Sequence, residues 1–504
     1  MGKVRSVLGI VAPCGALFFT AGLTLLAGQT VTGGAQMNRP DHDRNPERRG
    51  IRMLKDEDIR KLSSPRKKST PVNLDPRKSI FITDQAILNL FTFEELMEKL
   101  AGESKSHKIS KEQLFQQWWD SANPKAAFNL PFGGPNCDSG LLNTFPYTCP
   151  RNEGQQVTVN PYGPPTPVTY TAIALSNRFD LATPPEKGGT DCGEYRIVFE
   201  RNSGGSNGLD RNLIIFEAVL PNPHPLPHSL KGCRPIQDFW EDLTDKNLPV
   251  AARAKLLHDF YYKGLPHDHV EPVVMAKHYG DATPDAEGQI RTNQFMAGTS
   301  PQTWMLRQFH VVQDPQGMKI IPVPVATNPP ASLFDETINQ PQGVSFRTDF
   351  LTQITVLTPV AANCTLPSLL DCIAMETPGQ DDDGESIEGG PGGPPTTMLY
   401  APAFANSPNF KASIQTKLGS STGLTPDDVV ARAQTQTCAG CHQLSANASL
   451  GGGLMWPATL GFTHERLAPP FDTTGPDGPR YQISPALQNV FLPARKHVIE
   501  TFLK

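Results

Sequence analysis

Apolar and polar positions alternate over short runs through the middle of the chain, and clusters of Pro and Gly divide the runs. VTVN (157–160), PVTYTAIAL (167–175), YRIVFE (195–200) and NLIIFEAVL (212–220) have the composition and two-residue period of strands. Residues 304–312 and 319–325 flank DPQG (314–317), which predicts a hairpin across a turn. Helical spacing takes over elsewhere. Thr92 with Glu95, and Ser110 with Gln113, have the spacing of capping boxes. Apolar stripes follow them, through Leu96 and Leu100 and through Leu114, Phe115, Trp118 and Trp119; at that spacing the tryptophans are core residues. PIQDFWEDL and AARAKLLHDFYYKGL, within 235–265, predict a helical insert among the strands.

Near the end, Thr425 is a good N-cap, Pro426 suits the first helical position, and Asp427 and Asp428 favour the positive helix end. With Val429, Val430 and Ala433 as its apolar face, this helix is expected to run up to Cys438. Ser484-Pro485 starts a further helix, and Pro493 divides it from a last one that carries His497 near the surface. The patterns predict an α+β chain: a helical segment (79–124), a β-rich domain with the helical insert (125–377), and a small α-helical domain (396–504). Between the last two lies PGQDDDGESIEGGPGGPP (378–395). The spacing of Asp381, Asp382, Asp383 and Glu385 misses the alternating-oxygen pattern of a calcium loop, so the segment reads as a flexible acidic linker. Residues 36–78 mix both charges without apolar periodicity and read as a disordered arm. No repeat of propeller or solenoid length is visible.

Composition adds the compartment. The chain has 504 residues, 38% hydrophobic and 19% charged, which is globular; a net charge of −5 gives no case for nucleic acid. Residues 1–35 have a cationic start (Lys3, Arg5) and an apolar stretch that suit a secretory signal, with cleavage expected before Gln36. Retained, the same stretch is long enough to anchor the chain in a membrane, although Pro13, Gly15, Gly22 and Gly28 interrupt it. Lipidation at Cys14 is disfavoured by Pro13. Each reading exports the bulk of the protein, to a bacterial-type periplasm or envelope. Outside the cytosol thiols tend to pair. Setting aside Cys14, Cys438 and Cys441, six cysteines remain, and the sequential pairing Cys137–Cys149, Cys192–Cys233 and Cys364–Cys372 closes the shortest loops.

TCAGCH (437–442) carries the chemistry. C-x-x-C-H is the c-type haem attachment signature. Two thiols at this spacing add to the two vinyl groups on one porphyrin edge, and the adjoining imidazole folds under the ring to the iron. A thioredoxin-like dithiol needs a preceding strand, whereas a helix is expected here; a structural zinc site needs a second ligand pair, and no second C-x-x-C exists.

Residues 425–504 resemble a c-type cytochrome domain: a helix, TCAGCH, a glycine-rich loop and a C-terminal helix. The resemblance covers about 80 residues and rests mainly on one motif. It implies one covalent haem c, thioether links to Cys438 and Cys441, His442 as the proximal iron ligand, and electron transfer to a redox protein partner. The distal side departs from the small-cytochrome pattern. The methionine after His442 is Met455, thirteen residues on, a length that spans at most about 43–47 Å. His464 is the other candidate, followed by His497 and by an open site. Nitrogen ligation would give a lower potential than thioether ligation.

His224, His228, His267 and His269 stand in proline-rich loops, where imidazoles are more often solvated than metal-bound. Glu112, Glu217 and Glu241 have no paired context in the sequence, and there is no nucleophile elbow and no dinucleotide fingerprint. Two function classes remain: an exported monohaem electron carrier, and an oxidoreductase whose β-rich domain binds substrate while the haem relays electrons or reacts directly.

Overall fold

The computed structural model describes residues 73–120, 141–147, 159–203, 211–280, 288–296, 303–315, 317–389 and 396–504. Its frame is one antiparallel sheet of eight strands: β1 (Phe81–Ile82), β2 (Tyr170–Arg178), β3 (Asp191–Arg201), β4 (Asn212–Pro221), β5 (Gln289–Met296), β6 (Thr303–Asp314), β7 (Gly317–Val323) and β8 (Glu385–Glu388). Strands β1 to β6 are neighbours in chain order. The outer edge of β6 is shared, residues 304–307 pairing with β8 and residues 308–314 with β7. The runs expected at 167–175, 195–200 and 212–220 are β2, β3 and β4, and the expected hairpin is β6–β7. Of VTVN, residues 157 and 158 lie outside the described residues, and 159 and 160 are not in a strand.

Side chains on a strand alternate between its two faces. Leu175, Ile197, Phe216, Ile290 and Phe309 form one row across β2 to β6, each fully buried. Helices α1 (Phe93–Gly102), α2 (Lys111–Asp120), α3 (Arg234–Asp242) and α4 (Val250–Lys263) cover this face. Phe93 of α1 lies 5.2 Å from Phe199, Trp118 of α2 5.9 Å from Phe216, and Phe260 of α4 5.6 Å from Tyr195, measured between ring centres. The expected cap is present on α1, where the Thr92 hydroxyl accepts from the Glu95 N–H at 3.1 Å. The helical insert expected over 235–265 is α3 and α4.

The opposite face carries Ser176, Arg196 and Glu217 in one row, then Val198, Ile215, Arg291 and Gln308, then Asn293 and Leu306. Such alternation usually marks a face turned to water. Here the later part of the chain covers it. Trp304 and Leu306 pack into a second core with α5 (Pro341–Thr352), α6 (Pro408–Leu418) and α7 (Pro426–Gln434), where Phe334 stacks on Tyr400 at 4.1 Å. The last helix, α8 (Leu492–Leu503), belongs to the first core, with Phe502 4.6 Å from Phe179.

Several sequence expectations change. The C-terminal hundred residues are not a separate small domain, because they supply side chains to both cores and the described residues fall in one compact unit. The helix carrying His497 is a core helix: Val498, Ile499, Phe502 and Leu503 are buried and His497 is half-buried. Residues 378–389 are not a flexible linker. Asp381, Asp382 and Asp383 are buried, and β8 pairs with β6. The acidic run folds because donors meet its carboxylates: Asp382 accepts from the Thr327 and Asn328 N–H groups at 3.2 and 2.7 Å and from the Thr377 hydroxyl at 2.6 Å. Glu385 pairs with Arg307 at 2.8 Å, both shielded from water.

The expected signal, and the charged arm up to residue 72, lie outside the described residues. The arm's expected end at 78 moves back, since Asp75 caps a helical turn at Pro76–Ser79. Disulfides Cys192–Cys233 and Cys364–Cys372 form as expected; Cys137 and Cys149 lie outside the described residues. Among the described residues no helix is long and apolar enough to cross a membrane.

Candidate cofactor site

Helix α7 begins at the expected N-cap, which the structure completes into a capping box: the Thr425 hydroxyl accepts from the Asp428 N–H at 3.2 Å, and Asp428 accepts from the Thr425 N–H at 2.8 Å. It ends at Gln434, four residues before the expected point. The cause is local. The Thr435 and Thr437 hydroxyls donate to the carbonyls of Arg432 and Gln434 at 2.7 and 2.9 Å, competing with the backbone for those acceptors. A new helical turn then starts at Cys438, and the Thr437 hydroxyl caps it by accepting from the Gly440 N–H at 3.0 Å. Gly440 has a packing reason: a Cβ there would stand 1.7 Å from the Gln434 carbonyl oxygen. The turn widens to a π-helical one over Gly440–Leu444, which carries Cys441 and His442. Ala439 N–H donates to the Ser386 hydroxyl of β8 at 3.0 Å, so the strand in the acidic segment holds the motif in place.

Cys438, Cys441, His442 and His464 line one cavity of about 180 Å³, set between this turn and the charged face of the sheet. Both cysteines are free thiols. Burial raises the Cys438 thiol, and burial together with the Cys438 sulfur pushes the Cys441 thiol up to about 12, so both are S–H at neutral pH. Burial pushes the His442 imidazole down to about 4 and keeps it neutral. Its Nδ1 lies 2.8 Å from the Phe462 carbonyl oxygen, which fixes the proton on Nδ1 and leaves the Nε2 lone pair unprotonated. The carbonyl is aimed by a strained backbone, with Phe462 at φ 63° in the left-handed region. Arg211 holds that loop by donating to the Leu460 and Gly461 carbonyls at 3.3 and 3.1 Å. Asn293 of β5 donates to the same Phe462 oxygen at 2.9 Å, and Trp304 of β6 stacks against His442 at 5.7 Å.

His464 is held in the same manner, its Nδ1 2.9 Å from the Ser484 hydroxyl and its Nε2 3.4 Å from Cys441 Sγ. Its ring centre lies 4.9 Å from that of His442. Met455, the other distal candidate, is 54% exposed in the loop after the motif, whereas its neighbour Trp456 lines the cavity. Sequence reasoning missed most of the wall. Arg196 and Glu217 pair at 3.0 Å, and Arg291 reaches the other Glu217 oxygen at 3.4 Å. Burial alone would raise the Glu217 carboxyl, but the two guanidiniums hold it below the ordinary range. The available signal was an isolated charge, Arg196 or Glu217, inside an otherwise apolar run. Of the other histidines, His224 and His269 meet edge to face at 5.5 Å, and His228 contacts the Pro185 carbonyl. Among the described residues no group of three or more His, Cys, Asp or Glu converges as a metal site.

Further along β3, Glu200 accepts from the Leu467 N–H at 2.6 Å while its second oxygen is buried without a partner. Burial, against the weaker pull of that N–H and of Arg211 and Arg466, raises it from 4.5 to about 7. A carboxyl raised on folding stabilises most when protonated, and that contribution is lost as pH rises from about 4.5 through 7. Glu200→Gln is therefore expected to be more stable than the parent above pH 7, with the gap closing towards pH 4.5. Urea midpoints at pH 5 and pH 8 check this; a gap that is constant or reversed would contradict it.

No protein-family model matches this chain, and neither a curated protein nor a solved structure is found similar to it.

Proposed function

We propose that this chain is an exported monohaem c-type cytochrome that passes electrons to a redox protein partner. The observation that carries the reading is the pair of free thiols on one capped turn, beside an imidazole whose Nδ1 is held by a carbonyl and whose Nε2 is open. Metal-ligating histidines typically give their second nitrogen to such a partner. When bound, the haem supplies a one-electron iron couple. The residues would do the rest: Cys438 and Cys441 would tether the ring edge, His442 presents Nε2, Phe462 and Asn293 fix its orientation, Trp304 stacks on its ring, and Trp456 walls the cavity. The donor set fits a haem. The cavity, about 180 Å³ against roughly 300–1,000 Å³ for small-molecule sites, admits a porphyrin only if lining side chains move aside. His464 is the first of these, since its ring centre stands 4.9 Å from that of His442 and its Nε2 rests against Cys441 Sγ at 3.4 Å. Two disulfides support export to an oxidising compartment.

His464 is the proposed distal ligand, because it lines the cavity with Nδ1 already held, while Met455 faces outward. Replacing each by Ala in haem-loaded protein is expected to leave the spectrum unchanged for Met455 and to convert it from six- to five-coordinate for His464. The opposite pattern would assign the ligand to Met455, and two unchanged spectra would exclude both.

A further inference from the structure

Three arginines of the cavity wall are matched at close range. Arg178 makes three bonds to Asp180 at 2.8–3.1 Å, Arg196 pairs with Glu194 and Glu217, and Arg291 with Glu217. Arg495 of α8 is different. It is only 7% exposed, its Nε has no hydrogen-bond partner, and its approach to Asp180 is 3.8 Å, to a carboxylate already engaged by Arg178. Asp371 lines the same cavity; it is 5% exposed and neither of its carboxyl oxygens has a partner. A buried cation without a close anion and a buried carboxyl without a donor or acceptor are each unfavourable, unless a ligand completes them.

We propose that Arg495 and Asp371 form a carboxylate seat that takes a propionate arm of the tetrapyrrole, Arg495 as the charged donor and protonated Asp371 as the neutral one. The proposal rests on the haem reading above. Guanidinium and carboxylate are matched in charge and in their paired hydrogen-bond geometry. Asp371 can act as a donor because burial, with Asp180 adding and Arg495 and Arg178 opposing, raises it to about 8. The Ser368 hydroxyl of its own turn lies near enough to pull it slightly down, but not in the geometry of a hydrogen bond. Burial and the like charge of Arg178 lower Arg495 to about 9, as expected of a cation short of a counter-ion.

The test uses the full chain made without haem attachment and kept reduced, titrated with iron protoporphyrin IX and with its dimethyl ester, which lacks the carboxylates. The free acid is expected to bind at least about tenfold tighter, the worth of one hydrogen bond to a charged group. Arg495→Gln should abolish that preference, Arg495→Lys should keep part of it, and Asp371→Leu should reduce it. Asp180 retains Arg178 in each variant, and thermal unfolding confirms the fold. In haem-loaded protein Arg495→Gln is also expected to lower the midpoint potential, by about 59 mV for each tenfold shift towards ferric iron. Equal affinity for acid and ester, or a preference that survives Arg495→Gln, overturns the seat and leaves the haem reading standing. If neither porphyrin binds, the seat fails, and the count of covalently retained haem decides the haem reading separately.

Discussion

His442→Ala, made in a cell that attaches haem to exported cytochromes, is expected to lose the six-coordinate spectrum of the parent, and added imidazole is expected to restore it. The imidazole is half-buried, neutral and oriented by the Phe462 carbonyl, and the one other imidazole in the wall is His464, which the parent would already use. Loss of a partner that merely orients a metal-bound histidine weakens coordination by about 10–100-fold; loss of the ligand itself should exceed that. Free-haem titration of the unattached chain gives the number. Identical spectra and affinities for parent and variant would remove His442 from the site.

The second large effect concerns the acidic segment. Glu385→Ala is expected to destabilise the protein by about 3–5 kcal/mol, because it removes the carboxylate paired with Arg307, which is 0% exposed and lies over the Tyr147 ring at 4.2 Å. Replacing both partners, as in Glu385→Leu with Arg307→Met, should recover much of the loss, since no buried charge then lacks a partner. Denaturant unfolding of the single and double variants measures both. A linker carboxylate in water would change stability by only a few tenths of a kcal/mol, so a near-zero value for the single variant would restore the linker and detach β8 from the sheet. The same strand holds the motif through Ser386, and the single variant should also lower the yield of haem-loaded protein.

Legibility in the sequence followed the range of the interactions. Strands β2, β3, β4 and the β6–β7 hairpin were readable because a two-residue period is a local signal, and the caps at Thr92 and Thr425 because they act over three residues. That Cys438, Cys441 and His442 stand together was readable for the same reason, since they lie within five residues. The acidic run was misread because a cluster of carboxylates resembles a solvated linker unless the donors at Thr327, Asn328 and Arg307 are known to face it, and those are more than fifty residues away. The helix was drawn too long because its stop is made by the hydroxyls of Thr435 and Thr437, whose side-chain bonds leave no mark in apolar periodicity. Asn293 and Trp304 meet His442 across some 140 residues of chain, and only the sheet register brings them there. Glu217 had no paired context in the sequence, because alternation reports two different faces of a strand but not which residues of the next strand, such as Arg196, stand beside it.

A covalent haem is the proposal on which the functional reading rests. Full-length protein exported from a host that matures c-type cytochromes should be denatured and extracted with acidified acetone, and its iron and haem then counted against protein. The expected result is one haem per chain that stays with the polypeptide, and that Cys438→Ala together with Cys441→Ala releases into the solvent. A colourless parent protein, or haem that extracts as freely from the parent as from the double variant, would contradict it.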